Sequence, residues 1–72
     1  MIAYQRLKDL REDAEKSQAE IAMILGTSQS YYAQYESGKR AIPLERMIAL
    51  AQYYNVSLDY LAGLIDTPRK LK

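Results

Sequence analysis

A chain of 72 residues supports one small domain that buries roughly 60% of the surface its unfolded form exposes, which excludes a large enclosed active site. Hydrophobic residues at 49% and charged residues at 26% are ordinary globular proportions, and with no Cys and no His there is neither a disulfide framework nor a thiolate or imidazole metal site, so helix packing has to supply the stability. The net charge of +1 identifies no partner, and the distribution of charge along the chain is more informative.

Ala3, Leu7, Leu10 and Ala14 recur at three- and four-residue spacing and predict a first helix ending near Lys16. Ser17-Gln18-Ala19-Glu20 is a capping box that starts a second helix, with Ile21, Ala22 and Leu25 as its apolar face and Gly26 as its left-handed stop. Thr27 or Ser28 caps a third helix that Gly38 ends in the same way. After a loop over Lys39–Ile42, Pro43 suits the first turn of a fourth helix, whose apolar face is Leu44, Met47, Ile48, Ala51 and Tyr54 and which Asn55 closes. Ser57 caps a fifth, with Val56 and Leu61 placed as a hydrophobic staple and Leu58, Leu61, Ala62 and Ile65 inward. The expected fold is therefore all-α, five helices over 1–66, followed by a basic tail over 67–72 that reads as a solvated terminus. Its expected interior is Ile21, Leu25, Tyr32, Tyr35, Met47, Ile48, Leu50 or Ala51, Leu58 and Leu61, and Met23 and Met47 read as packing residues.

No apolar run approaches the ~20 residues of a membrane span, and the opening MIAYQRLKDLRED is too charged for a signal peptide, so a cytoplasmic protein with no membrane partner is expected. Catalysis is not expected either. Without His or Cys, and with no Ser beside an evident Lys or carboxylate partner, the chain offers no activated nucleophile, and no cofactor or metal is implied.

The third helix is the unusual one. At about 100° per residue, Gln29, Ser30, Ala33, Gln34 and Ser37 fall on one face, and Tyr31, Tyr32 and Tyr35 on the other. A solvent-facing helix ordinarily carries Lys and Glu where this one carries amides and hydroxyls. Such a surface suits the major groove of DNA, where Gln and Ser can engage base edges and a small residue such as Ala33 allows close approach. Charge is better placed beside the reading face, toward phosphates. Residues 9–20 are acidic on balance (Asp9, Glu12, Asp13, Glu15 and Glu20 against Arg11 and Lys16), whereas residues 21–44 carry Lys39 and Arg40 against Glu36 alone. An anionic partner should meet the second side.

The run SQAEIAMILGTSQSYYAQYESGKRAIP, with Gln18, Ala22, Gly26, Gln29, Gln34, Glu36, Gly38, Lys39 and Pro43 at the positions that define the pattern, resembles the helix-turn-helix of the lambda-repressor-like family, also called Cro/CI or XRE. The resemblance covers about residues 5–65. It implies a DNA-binding transcriptional regulator, a repressor of phage or mobile-element type, acting as a homodimer on a pseudo-palindromic operator in double-stranded DNA. By that resemblance Gln29, Ser30 and Gln34, with Ala33 between them, read bases. Gln18 binds a backbone phosphate at a helix start, and Lys39 and Arg40, with Ser37 beside them, approach the backbone. Tyr31 lies on the flank, open to packing or to a phosphate contact, and Arg11 pairs with Glu36 as a structural ion pair. Ser30 stands where a phage repressor of the family has glutamine, and Leu44 where it has a minor-groove arginine, so the operator sequence does not carry over. The alternative is an antitoxin or other module of this fold that binds a protein partner. A tyrosine stacking platform for single-stranded nucleic acid is disfavoured because the tyrosines cluster on the core side.

Overall fold

The computed structural model describes residues 4–67, within which there are five α-helices and no strand. They are α1 (Gln5–Asp13), α2 (Gln18–Leu25), α3 (Gln29–Ser37), α4 (Leu44–Tyr54) and α5 (Leu58–Leu61). The expectation of an all-α, five-helix fold holds. Ala3 and residues 68–72 of the basic tail lie outside the described residues. No described helix is long and apolar enough to cross a membrane.

The helix boundaries follow from local chemistry. The Glu20 amide donates to Ser17 Oγ at 3.1 Å and the Ser17 amide donates back to Glu20 Oε1 at 3.0 Å, which completes the capping box at the start of α2. A cap of this kind contributes about 1 kcal/mol. Gly26 (φ 74°) and Gly38 (φ 79°) end α2 and α3 in the left-handed conformation, and Asn55 (φ 56°) ends α4 likewise. The α2–α3 connection is therefore only Gly26–Ser28, short enough to fix the two helices against each other. α3 lies chiefly against α2, and α1 and α4 support the pair from behind.

The core is Leu7 of α1, Ile21 and Ala22 of α2, Tyr32 and Tyr35 of α3, Met47, Leu50 and Ala51 of α4, with Val56 and Leu61 closing the far end. Tyr35 meets Tyr31 edge to face at 5.8 Å and Tyr32 at 6.3 Å. Such pairs add about 0.5–1.5 kcal/mol beyond the area they bury. Arg46 of α4 donates to the Tyr35 hydroxyl at 2.8 Å, which satisfies the one polar atom that ring carries inward.

Several expectations need correction. α1 stops at Asp13, because Glu15 turns to a positive φ of 56° and the Lys16 amide folds back to the Arg11 carbonyl at 3.0 Å, which leaves Ala14 exposed. Ile48 is 39% exposed and Met23 80% exposed. Both sit on helix faces that no neighbouring element among the described residues covers. Leu25 and Leu58 are only partly buried, packed at the margin of the core. α5 is a single turn, so Ala62 and Ile65 follow it in irregular chain and are half-buried.

Candidate nucleic-acid interface

α3 holds one charged residue, Glu36, and the fold neutralises it. Arg11 Nε donates to Glu36 Oε2 at 2.7 Å and Arg11 Nη2 donates to Oε1 at 3.1 Å, a two-pronged pair between α1 and the end of α3. The side chains are only 12% and 5% exposed. Arg11 Nη1 also caps the Lys16 carbonyl at 2.9 Å, so the guanidinium ties α1, the α1–α2 turn and α3 together. Burial pushes the Glu36 carboxyl up, but the hydrogen bonds from Arg11 and Gln18, the nearby Tyr32 hydroxyl and the Arg11 charge outweigh it and hold the carboxyl below the usual range. The hydrogen bond to Glu36 conversely raises Arg11, against the desolvation that lowers it. The Tyr32 hydroxyl acts on this charge without completing a hydrogen bond, and the Tyr54 hydroxyl is buried with no partner among the described residues; burial pushes the Tyr54 phenol up to about 12.

The depressed Glu36 carboxyl has a pH consequence. The unfolded chain, with an ordinary carboxyl near 4.5, takes up its proton before the folded protein does. The stabilisation from this group is therefore complete above about 4.5 and is lost as pH falls through the lower folded-state value. Acid unfolding of the wild-type chain should steepen in that window, and Glu36→Gln should flatten the curve there. An acid profile identical in the two proteins would show that Glu36 is not held below its ordinary range.

From this pair a hydrogen-bonded relay leads outward. Gln18 Nε2 donates to Glu36 Oε1 at 3.1 Å, and Gln29 Nε2 donates to Gln18 Oε1 at 2.7 Å. The direction is dictated from inside: a carboxylate only accepts, so Gln18 must offer its nitrogen there and its oxygen to Gln29. Gln29 in turn keeps its own Oε1 without a partner among the described residues, and that side chain is exposed.

The remaining expected site residues lie around this relay. Ser30 Oγ stands 3.4 Å from Ser28 Oγ, which caps α3 by accepting from the Tyr31 amide. Ala33, Ser37, Gln18 and Glu36 line a shallow cleft together with Lys8 of α1. Ser37 Oγ donates to the Gln34 carbonyl at 3.2 Å, so its hydroxyl proton is spent within the helix. Lys39 is exposed, and its ammonium makes no hydrogen bond or ion pair among the described residues. The Arg40 guanidinium folds back onto α3, 4.5 Å above the Tyr31 ring, and donates through Nε to Gln34 Oε1 at 3.3 Å.

Gln18, Gln29, Ser30, Ala33, Gln34, Ser37, Tyr31, Lys39 and Arg40 thus occupy one side of the molecule: the exposed side of α3, with the start of α2 and the loop after Gly38 as its borders. Arg11 and Glu36 lie beneath it. Sequence reasoning did not find the connections here: Gln18 to Glu36 and to Gln29, Arg40 to Gln34 and over Tyr31, and Lys8 at the rim of the cleft. The resemblance named Gln18 for phosphate alone, whereas the fold also makes it the link between the ion pair and Gln29.

Residues 7–61 match the family described as Helix-turn-helix. The chain is 38% identical over 64 residues to the uncharacterized HTH-type transcriptional regulator YobD of Bacillus subtilis, an alignment that spans 89% of this chain and 57% of that protein. It is 34% identical over 59 residues to the cryptic phage CTXphi transcriptional repressor RstR of Vibrio cholerae, spanning 82% of this chain and 53% of RstR. A crystal structure of a transcriptional regulator from Listeria innocua superposes with a TM-score of 0.80 at 29% identity, covering 92% of this chain and 64% of that one. The chain therefore spans about half the length of the curated relatives it matches.

Proposed function

Because this chain belongs to the lambda-repressor-like helix-turn-helix family, we propose that it is the DNA-reading part of a sequence-specific transcriptional regulator that lays α3 in the major groove. The observation that carries the reading is the electrostatics of α3. Its one carboxylate is neutralised from within by Arg11, its outward face bears only amides, hydroxyls and a methyl group, and the exposed cations Lys39, Arg40 and Lys8 stand at its margins. Directional hydrogen bonds then face base edges while charge faces phosphates.

In this reading Gln29, Ser30, Ala33 and Gln34 meet bases. Gln18, Tyr31, Ser37, Lys39 and Arg40 meet the phosphate backbone. The protein binds as a homodimer to an inverted repeat with half-sites about one helical turn, ~34 Å, apart, and acts as a cytoplasmic repressor of the phage type that the name of RstR describes. Asp9, Glu12, Asp13 and Glu15 are exposed and make the surface of α1 and the α1–α2 turn acidic, which disfavours that surface as the one that meets DNA. Selecting bound sequences from a random duplex pool tests the proposal. An enriched inverted repeat with that spacing is expected. A pool with no enrichment, together with a stoichiometric protein partner copurifying from the native host, would favour a protein-binding antitoxin instead.

A further inference from the structure

We propose that Arg40 decides which atom Gln34 presents to DNA: it holds the Gln34 oxygen to itself and turns the amide nitrogen outward, so that Gln34 selects a base edge bearing acceptors. This rests on the DNA-reading function proposed above and deepens it.

Three contacts place Arg40. Its backbone amide donates to the Gln34 carbonyl at 3.1 Å, a consequence of the left-handed turn at Gly38 that folds the chain back along α3. Its guanidinium lies 4.5 Å above the Tyr31 ring, and Tyr31 is itself seated edge to face against the buried Tyr35 at 5.8 Å. Its Nε donates to Gln34 Oε1 at 3.3 Å. The ring stack matters because a planar cation over an aromatic face has a preferred orientation, which aims Nε rather than merely bringing charge nearby.

The polarity follows from donor chemistry. A guanidinium has donors and no acceptor, so the Gln34 atom facing it has to be the oxygen. A glutamine left to itself can flip its amide and read adenine with oxygen toward N6 and nitrogen toward N7. With the oxygen turned toward Arg40, Gln34 leads with its NH2 group, which matches guanine O6 and N7 or thymine O4, whereas adenine N7 stands beside a donor that the NH2 group opposes and cytosine offers only a donor. Gln29 comes out of its relay with the opposite sense, oxygen outward, so the two glutamines of one face are not equivalent readers. Arg40 keeps its terminal nitrogens free among the described residues, and these can meet a phosphate while Nε orients Gln34. Arg40 is thus a positioning residue, acting on base choice through Gln34.

The test uses the full chain and Arg40→Met, which keeps an unbranched side chain at this exposed position but removes every donor to the Gln34 oxygen. Wild-type protein is taken through selection from a random duplex pool, and the base pair that Gln34 faces is identified as the one whose preference disappears in Gln34→Ala. That pair should favour guanine or thymine at the contacted base. Arg40→Met should lower discrimination at that pair by roughly tenfold, on top of a uniform weakening on every sequence and a salt slope lower by about 1 from the lost phosphate contact, with base preference at the other positions as in wild type. Tyr31→Ala, which removes the stack but not Arg40, should relax the same pair to a smaller degree. Unchanged base preference at that pair in Arg40→Met, whatever the uniform loss, or a wild-type preference for adenine there would each overturn the inference while leaving the DNA-reading function intact. A wild-type chain that enriches no sequence would overturn both.

Discussion

Glu36→Ala should cost about 3 kcal/mol of stability or more, because it leaves the Arg11 guanidinium buried without its partner. An exposed pair removed in the same way costs only about 0.2–1 kcal/mol, and the 12% and 5% exposure of these side chains decides between the two cases. For a domain of this size each kcal/mol lowers the melting temperature by roughly 4–8 °C, so thermal unfolding followed by helix signal gives a large and direct readout. Arg11→Ala should be comparable, since it leaves a buried carboxylate and also frees the Lys16 carbonyl. DNA affinity should fall with stability, because Gln18 and through it Gln29 lose the anchor that sets their direction. A melting temperature within a few degrees of wild type in Glu36→Ala would show that the pair does not hold α1 to α3.

Gln34→Ala and Lys39→Ala should damage DNA binding in different ways. Loss of the Gln34 amide removes a base contact, which should cost about 1–3 kcal/mol on the operator and little on scrambled DNA. Lys39, exposed and without an ion-pair partner among the described residues, should contribute through a phosphate. Its removal should weaken binding to every sequence alike and reduce the salt slope by about 1, since one counterion fewer is released. The wild-type slope should itself be shallow, because Arg11 is spent on Glu36 and few cations border the reading face. Titrations of both variants on operator and scrambled duplexes over a range of salt check this; equal losses on both duplexes in Gln34→Ala would remove it from the readers.

The parts of this fold that depend on near neighbours in sequence were legible there. Ser17 and Glu20 satisfy each other's amides three residues apart, and Gly26, Gly38 and Asn55 stop their helices by local backbone geometry. The capping box, the stops and the order of five helices therefore follow from spacing. The edge of each apolar stripe did not. Met47, Leu50 and Ala51 are covered while Leu44 and Ile48, one step around the same helix, are not, and periodicity alone carries no information on how wide an arc the neighbouring helices cover. Met23 illustrates the same limit on α2, a helix of barely two turns that buries only Ile21 and Ala22 fully.

At the site, the residue types and their common face were readable from the wheel, but the connections were not. The Gln18–Glu36 bond spans 18 positions and exists because Gly26 sets α2 against α3 at one angle. The Arg40 stack requires the chain after Gly38 to double back over Tyr31. Both are products of tertiary placement, and both change what the glutamines present: a sequence shows two amides, whereas the fold shows one with its oxygen outward and one with its oxygen held.

In the proposed function, DNA meets the exposed side of α3 and its borders. Titrating the 15N-labelled chain with short duplex DNA and following every backbone and side-chain amide by NMR tests it most directly, because weak nonspecific binding suffices to mark the contacted face. The amides of Gln18, Gln29, Ser30, Ala33, Gln34 and residues 37–40 are expected to shift first and furthest, with those of the exposed Gln52 and Tyr53 of α4 and Asp59 of α5 unmoved. Shifts concentrated on α4 and α5, or on the acidic residues 12–15, with α3 silent, would contradict it.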